Sequence, residues 1–378
     1  MYLSLWARLQ NQAMEQIEAA LYRDRTLVRI PALHARLYLV PTEDMAAYLY
    51  LSRQHTTRSR LDDLDDILCE AGVLALNGVD DPYGDGHSFC REMAQRVLEI
   101  MNTRGPMTIE ELMRFLPELR QRIPHDPECP ERGYELVGTR LIPAMCAEGL
   151  LVRARTRGGW RSDLFSYATL ASWLPQIDLG NMDGRAALER ILGVFVAAYG
   201  PVTIGDAQQW LGGYPRREVA ATLTYLPNLV HLQIEGNRGD YVLFAEQLEA
   251  LLNGDEEQPG AALLPPRDTY LTAYSDAHRF VPAPYVGRIY DRVGEPVGTV
   301  WLGGQIIGIW WLQFRDERLL IRFFEEQGPE ALASVGEEAR RLAEFMAFTT
   351  PELDIGTFAE KDDELQPTAS LFPGSLPR

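Results

Sequence analysis

Two stretches of the chain share one pattern of apolar and polar positions: an apolar helical run, a Gly-Pro break and a capped helix start. The runs are Phe89 to Met101 and Leu188 to Ala198, and the breaks are Gly105-Pro106-Met107-Thr108-Ile109 and Gly200-Pro201-Val202-Thr203-Ile204. In each, a threonine and an acid three residues on (Thr108 with Glu111, Thr203 with Asp206) form the pattern of a capping box, which satisfies amides that a helix start leaves open. A further helical stretch follows, then two runs with strand patterning: Leu150 to Thr156 with Trp160 to Ala168, and Leu229 to Glu235 with Tyr241 to Phe244. Helix, turn, helix, helix and two-stranded hairpin is the plan of a winged helix-turn-helix. Its repetition in the same order predicts two such units in tandem, against the plainer reading of unrelated helical hairpins that share a turn.

The first residues read as part of a third copy. Glu15 to Tyr22 has a helical pattern, and Leu27 to Ile30 and Arg36 to Val40 read as strands joined through Pro31. A capped helix is expected from Thr42, with Glu43 and Asp44 suited to its first turn. This amounts to the last helix and the hairpin of one more unit, and the apolar faces of Leu21, Leu27, Ile30, Leu37 and Leu39 need further helices to cover them. The expectation is that the natural chain, or its ancestor, began some tens of residues earlier.

The C-terminal block is patterned differently. Val297 to Leu302 and Gln305 to Phe314 flank Gly303-Gly304, a two-residue hairpin signal, and Leu319 to Phe324 follows a turn at Arg315 to Arg318. A helix is expected over Pro329 to Phe348. The overall expectation is an α+β chain of tandem winged helix-turn-helix units with a C-terminal β-rich, barrel-like element. Its parts are 1–76 (a partial first unit and following helices), 88–175, 184–252 and 261–358, then a disordered acidic tail over 359–378. Asn77 to Gly86 and Gly254 to Gly260 read as linkers.

Composition narrows the partners. The chain has 378 residues, room for two to four units, and no apolar run long enough to span a membrane. Its four cysteines form no Cys-x-x-Cys pair, which points to a reducing cytoplasm. Lys361 is the only lysine. A net charge of −18 argues against a surface that grips nucleic acid everywhere, but the charge is uneven. Residues 1–60 hold eight arginines against five acids, and residues 140–161 hold five arginines against Glu148 alone. Local basic faces on an acidic body suit a DNA groove with solvated outer walls, although ordinary surface arginines would give the same count.

Other constellations carry less. His87 with Cys90 and His125 with Cys129 are zinc-ligand types at a spacing that chance also produces. Asp62, Asp63, Asp65 and Asp66 read as a solvated helix face, and Asp80, Asp81 and Asp85 as turn formers rather than a calcium loop. No glycine-rich phosphate loop or convincing ligand set is present, so no metal or organic cofactor is expected.

Several segments together resemble the winged-helix DNA glycosylases typified by AlkZ and YcaQ. They are Ala20 to Arg29 running into Leu37 to Asp44, then Leu263-Leu264-Pro265-Pro266-Arg267-Asp268-Thr269-Tyr270-Leu271, Arg288 to Gly294, and Gly303 to Trp310. The match extends to about residue 350 and rests on their order and spacing. The resemblance implies three tandem winged helices around a barrel-like element, a concave DNA channel, and excision of alkylated or crosslinked bases by hydrolysis of the N-glycosidic bond. It implies duplex DNA, damaged, as partner, a monomeric cytoplasmic protein that joins the bacterial nucleoid when bound, and no membrane.

Two departures bear on activity. The family's catalytic Gln-x-Gln precedes a stretch resembling Leu5-Trp6-Ala7-Arg8-Leu9, which places it upstream of Met1; Gln10-Asn11-Gln12 comes after that landmark and reads as a solvated helix start. The family's Arg-Gly-Thr-Leu-His segment stands here as His34-Ala35-Arg36-Leu37-Tyr38. Base loss builds oxocarbenium charge on the sugar, and a positioned polar group must orient the attacking water. Residues 1–378 alone are therefore expected to release little 7-methylguanine from alkylated DNA, and a longer chain to release it. A non-catalytic regulator or damage sensor, and a protein-binding scaffold, are the other readings.

The residues expected to meet DNA are His34, Arg36, Tyr38, Arg153, Arg155, Arg157, Trp160, Arg161 and Asp268. Trp160 sits beside Gly158-Gly159, where it would insert into a groove, stack on a base, or pack within the hairpin. Asp268 either faces the channel or caps a turn.

Overall fold

The computed structural model describes residues 2–9, 14–54, 59–71, 89–126, 129, 131, 133–237, 239–253, 260–292 and 294–358. Gln10-Asn11-Gln12, His87, the linker stretches 77–86 and 254–259, Lys361 and the tail from 359 lie outside them. The chain packs as two compact units. One comprises Met14–Leu192; the other joins Met1–Ala13 to the chain from Gly193 onward. The opening residues, grouped by the sequence with residues up to 76, thus pack with the C-terminal half.

Within Met14–Leu192, a short helix α2 (Met14–Glu18; α1 is Tyr2–Trp6) continues through a wider turn, Ala19–Arg23. Next come the antiparallel strands β1 (Leu27–Pro31) and β2 (Leu37–Pro41). The helical run expected from Thr42 is present, but Thr42 does not cap it. Thr42–Asp44 forms a tight turn, the Thr42 hydroxyl donates to the Arg25 carbonyl at 2.6 Å, and helix α3 begins at Met45 (Met45–Gln54). Pro41 rather than Thr42 stands at the cap position of that turn, and no side chain caps it.

Helix α4 (Arg60–Glu70) starts on Ser59, whose hydroxyl accepts from Leu61 N. Helix α5 (Phe89–Arg104) ends at Gly105, at φ +82°, and α6 (Ile109–Phe115) starts on the Thr108–Glu111 capping box with both reciprocal bonds formed. A small hairpin of β3 (Arg122–Pro124) and β4 (Tyr134–Leu136) precedes α7 (Val137–Ala147). The antiparallel pair β5 (Leu151–Thr156) and β6 (Phe165–Thr169) follows. One core, including Met93, Val97, Leu112, Leu141, Met145 and Leu151, holds α4 to α7 and the hairpin together. Strand β6 is shorter than expected because Gly158 and Gly159, both at φ near +90°, widen the tip.

After α8 (Leu170–Trp173) and α9 (Gly184–Tyr199), the element order recurs within the second unit: α10 (Ile204–Trp210), α11 (Arg216–Tyr225), then the antiparallel β7 (Leu229–Leu232) and β8 (Tyr241–Phe244). Here too both capping-box bonds are present, between Thr203 and Asp206. In both copies the residue before the cap bridges to the second hairpin strand, Met107 to Tyr167 and Val202 to Val242. The repeated Gly-Pro-x-Thr thus adds one rung to each hairpin.

The rest of this unit is one five-stranded sheet in the order β13-β12-β11-β10-β9, with helix α12 (Ala245–Leu252) ahead of it and α13 (Thr269–Thr272) after β9. Its strands are β9 (Ala262–Leu264), β10 (Gly298–Leu302), β11 (Gln305–Gln313), β12 (Arg318–Phe323) and β13 (Glu352–Thr357). Gly303 and Gly304, at φ +58° and +76°, make the expected tight turn between β10 and β11. The barrel-like closure does not form among the described residues. Strand β13 pairs parallel to β12, which requires a crossover, and that crossover is α14 (Pro329–Phe345), which touches both edge strands, β9 and β13. The sheet is therefore open, with a helix where closure would occur. No helix of the described residues is long and apolar enough to cross a membrane.

Candidate nucleic-acid interface

Period-two geometry sorts the arginines of β5. Val152, Ala154 and Thr156 are buried on one face, while Arg153, Arg155 and Arg157 share the other, half-exposed or exposed. Successive members of this row are about 7 Å apart along the strand.

Aromatic rings and carboxylates hold the row in place. The Arg153 guanidinium lies 4.8 Å from the Phe165 ring, and Arg155 lies 4.8 Å from the Tyr22 ring and 3.3 Å from a Glu18 oxygen. Arg157 donates through Nη2 to both carboxylate oxygens of Glu111, at 2.9 and 3.1 Å. Beneath them Arg29, 3% exposed, donates to the Tyr22 hydroxyl at 2.7 Å and lies 5.5 Å from both the Tyr22 and Phe165 rings. Stacked guanidiniums lose little rotamer freedom on meeting an anion, and each ring contact contributes about 0.5–1 kcal/mol at exposed sites. Sequence reasoning missed Tyr22, Arg29 and Glu18. Their signal was the basic character of residues 1–60, without any hint that β1 lies against β5.

At the hairpin tip, Arg157 N donates to the Leu164 carbonyl and the Thr156 hydroxyl to the Gly159 carbonyl, at 2.8 and 2.7 Å. Trp160 is half-exposed, with the Arg161 guanidinium 5.3 Å from its ring. The β1–β2 hairpin presents His34, exposed in a left-handed conformation at φ 57°, with Arg36 and Tyr38 half-exposed. The Tyr38 ring lies 6.2 Å from that of Tyr48.

Asp268 belongs to the other unit and is 0% exposed. It accepts two hydrogen bonds from Arg8, at 2.8 and 2.6 Å, and one from Tyr270 N at 3.0 Å, so it caps α13. Placement on a channel wall, one of its two expected roles, does not fit this geometry, because the carboxylate offers no surface to a ligand. Burial acts to lower the Arg8 pKa, but the bond to Asp268 and its charge outweigh that and raise it. Tyr199, raised by burial, donates to the Thr269 hydroxyl at 2.9 Å beside this pair.

Two of the four cysteines, Cys90 and Cys146, are buried. Burial pushes the Cys146 thiol up to about 12 and also raises that of Cys90. Among the described residues no three His, Cys, Asp or Glu side chains gather to hold a metal ion. His125 instead faces Glu135, 3.2 Å away.

The described fold is a mixed α+β chain in which a helix-and-hairpin order occurs twice. The family whose model matches is described as DNA glycosylase AlkZ-like, over residues 1–345, and the chain belongs to that family. Membership implies a DNA substrate and a DNA glycosylase-like role. Among solved structures, the chain is similar to the Streptomyces sahachiroi DNA glycosylase AlkZ, at 18% identity and a TM-score of 0.63, covering 93% of this chain and 88% of that one. At that identity the likeness concerns the fold. The chain matches no curated protein.

Proposed function

We propose that the chain is a winged-helix protein that binds damaged duplex DNA and excises alkylated or crosslinked bases by N-glycosidic hydrolysis. Each hairpin unit is a winged helix in this reading, and the protein works as a cytoplasmic monomer at the bacterial nucleoid. The observation that carries it is the alternating row Arg153, Arg155 and Arg157 on one hairpin face, in a chain of this family. His34, Arg36, Tyr38, Trp160 and Arg161 complete the DNA-facing set, and Asp268 contributes by fixing Arg8 rather than by touching DNA. A DNA-binding role without excision is the second reading, favoured by His34-Ala35-Arg36-Leu37-Tyr38 in place of the family's Arg-Gly-Thr-Leu-His.

Free-base release from methylated duplex separates the two readings, and binding tests what they share. Each phosphate contact contributes about 0.9 to the slope of log affinity against log salt. Changing Arg36, Arg153, Arg155, Arg157 and Arg161 to alanine is expected to weaken duplex binding and flatten that slope by several units. Unchanged affinity and slope would remove the hairpins from the interface.

A further inference from the structure

We propose that Glu111 and Glu18 compete with DNA phosphates for the hairpin arginines, so that duplex binding proceeds by exchange of a protein carboxylate for a phosphate. The inference rests on the reading of the β5–β6 hairpin as a duplex-binding face.

The three arginines of one strand face are treated unequally. Arg157 is engaged by both oxygens of Glu111, and Arg155 by Glu18. Arg153 rests on the Phe165 ring with no carboxylate oxygen within 4 Å among the described residues. Glu111 is held in place, because its Oε2 also accepts Thr108 N at 2.8 Å as half of the capping box. The cap therefore fixes a negative charge against the outermost arginine of the row, and the partner of a helix cap doubles as the partner of a DNA-facing guanidinium. Glu18 is fixed differently, 23% exposed on α2, with Arg155 set between it and the Tyr22 ring system.

Three positive charges and two negative ones leave the free face with far less field than the arginine count suggests. A phosphate arriving at Arg155 or Arg157 must displace a carboxylate and tolerate it nearby, whereas one arriving at Arg153 displaces none. The consequence is lower affinity for any duplex, undamaged DNA included, and so shorter residence where there is nothing to repair.

Glutamine substitution removes the charge but keeps the shape, and at position 111 it keeps an oxygen to accept from Thr108 N. Glu111→Gln and Glu18→Gln are each expected to tighten binding of a short fluorescent duplex about two- to fivefold at low salt, with the double variant tighter than either. The gain shrinks as salt rises, so each glutamine variant shows a slightly steeper salt slope than the unaltered protein. Glu189→Gln, which removes an equal charge from an exposed pair with Arg185 on α9, leaves affinity unchanged. In an Arg157→Ala background the effect of Glu111→Gln disappears. Unchanged or weaker binding by both glutamine variants overturns the inference, as does equal tightening by Glu189→Gln or a Glu111→Gln gain that survives the loss of Arg157. If the unaltered protein binds no duplex, the underlying reading fails and this inference with it. If it binds and the glutamine variants do not tighten, only the exchange is wrong.

Discussion

Arg8→Ala is expected to destabilise the protein by about 3–5 kcal/mol, because it leaves a fully buried carboxylate without its cation. Asp268, which has no exposed surface while Arg8 is in place, keeps only the Tyr270 amide. The reverse change, Asp268→Ala, should cost less, about 1–3 kcal/mol, since the Arg8 side chain is 39% exposed and its charge can return to solvent. That asymmetry is the signature of a buried pair with one open end. A unit of this size loses roughly 2–4 °C of melting temperature per kcal/mol, so Arg8→Ala should melt about 6–20 °C lower. The double variant should fall short of the summed single effects, because each single change already breaks the pair. Thermal melts of the three variants decide the matter. An Arg8→Ala protein as stable as its parent would show that the pair contributes nothing. The anchoring extends beyond the pair: Trp6, 4% exposed, packs against Phe345, and Arg341 lies 4.1 Å from its ring.

Trp310→Ala should be comparably damaging, at about 3–5 kcal/mol for the cavity alone. Trp310 is 0% exposed in the central strand β11, and its Nε1 donates to the Leu264 carbonyl at 2.8 Å. Removing the indole empties the middle of the open sheet and deprives the edge strand β9, two strands away, of that bond, a loss of about another 1–3 kcal/mol if the carbonyl stays dry. Gly298 explains why the ring fits: a Cβ there would stand 2.8 Å from the indole and 2.5 Å from the Trp310 carbonyl oxygen. Trp310→Phe should recover part of the loss by refilling volume without restoring the hydrogen bond. Urea unfolding measures both, and near-parental midpoints for Trp310→Ala would mean the sheet centre repacks freely.

Much of the local architecture was legible in residue order. Capping boxes need only a threonine and an acid three apart, and Gly303-Gly304 needs only two residues that tolerate positive φ, so both are encoded within a few positions. Strands β1, β2, β5, β7, β8, β10, β11 and β12 start or end within a few residues of their expected places for the same reason. Thr42 shows the limit of such rules. Its acidic neighbours suit a helix start and the helical run does open there, but Thr42 lies inside the first turn and its hydroxyl donates to the Arg25 carbonyl, which only the folded hairpin brings near.

The candidate interface divides along the same line. The sequence by itself determined where the hairpins lie, that residues 140–161 are rich in arginine, and that Thr108 and Glu111 cap a helix, because these follow from local composition and spacing. Only the tertiary structure decided that Glu111 also holds Arg157, that Tyr22 and Arg29 lie under the arginine row, and that a crossover helix leaves the C-terminal sheet open. It alone paired Arg8 with Asp268, 260 residues away. Those contacts join distant segments whose pairing is set by burial and charge across the fold, and no local pattern records which distant group will arrive.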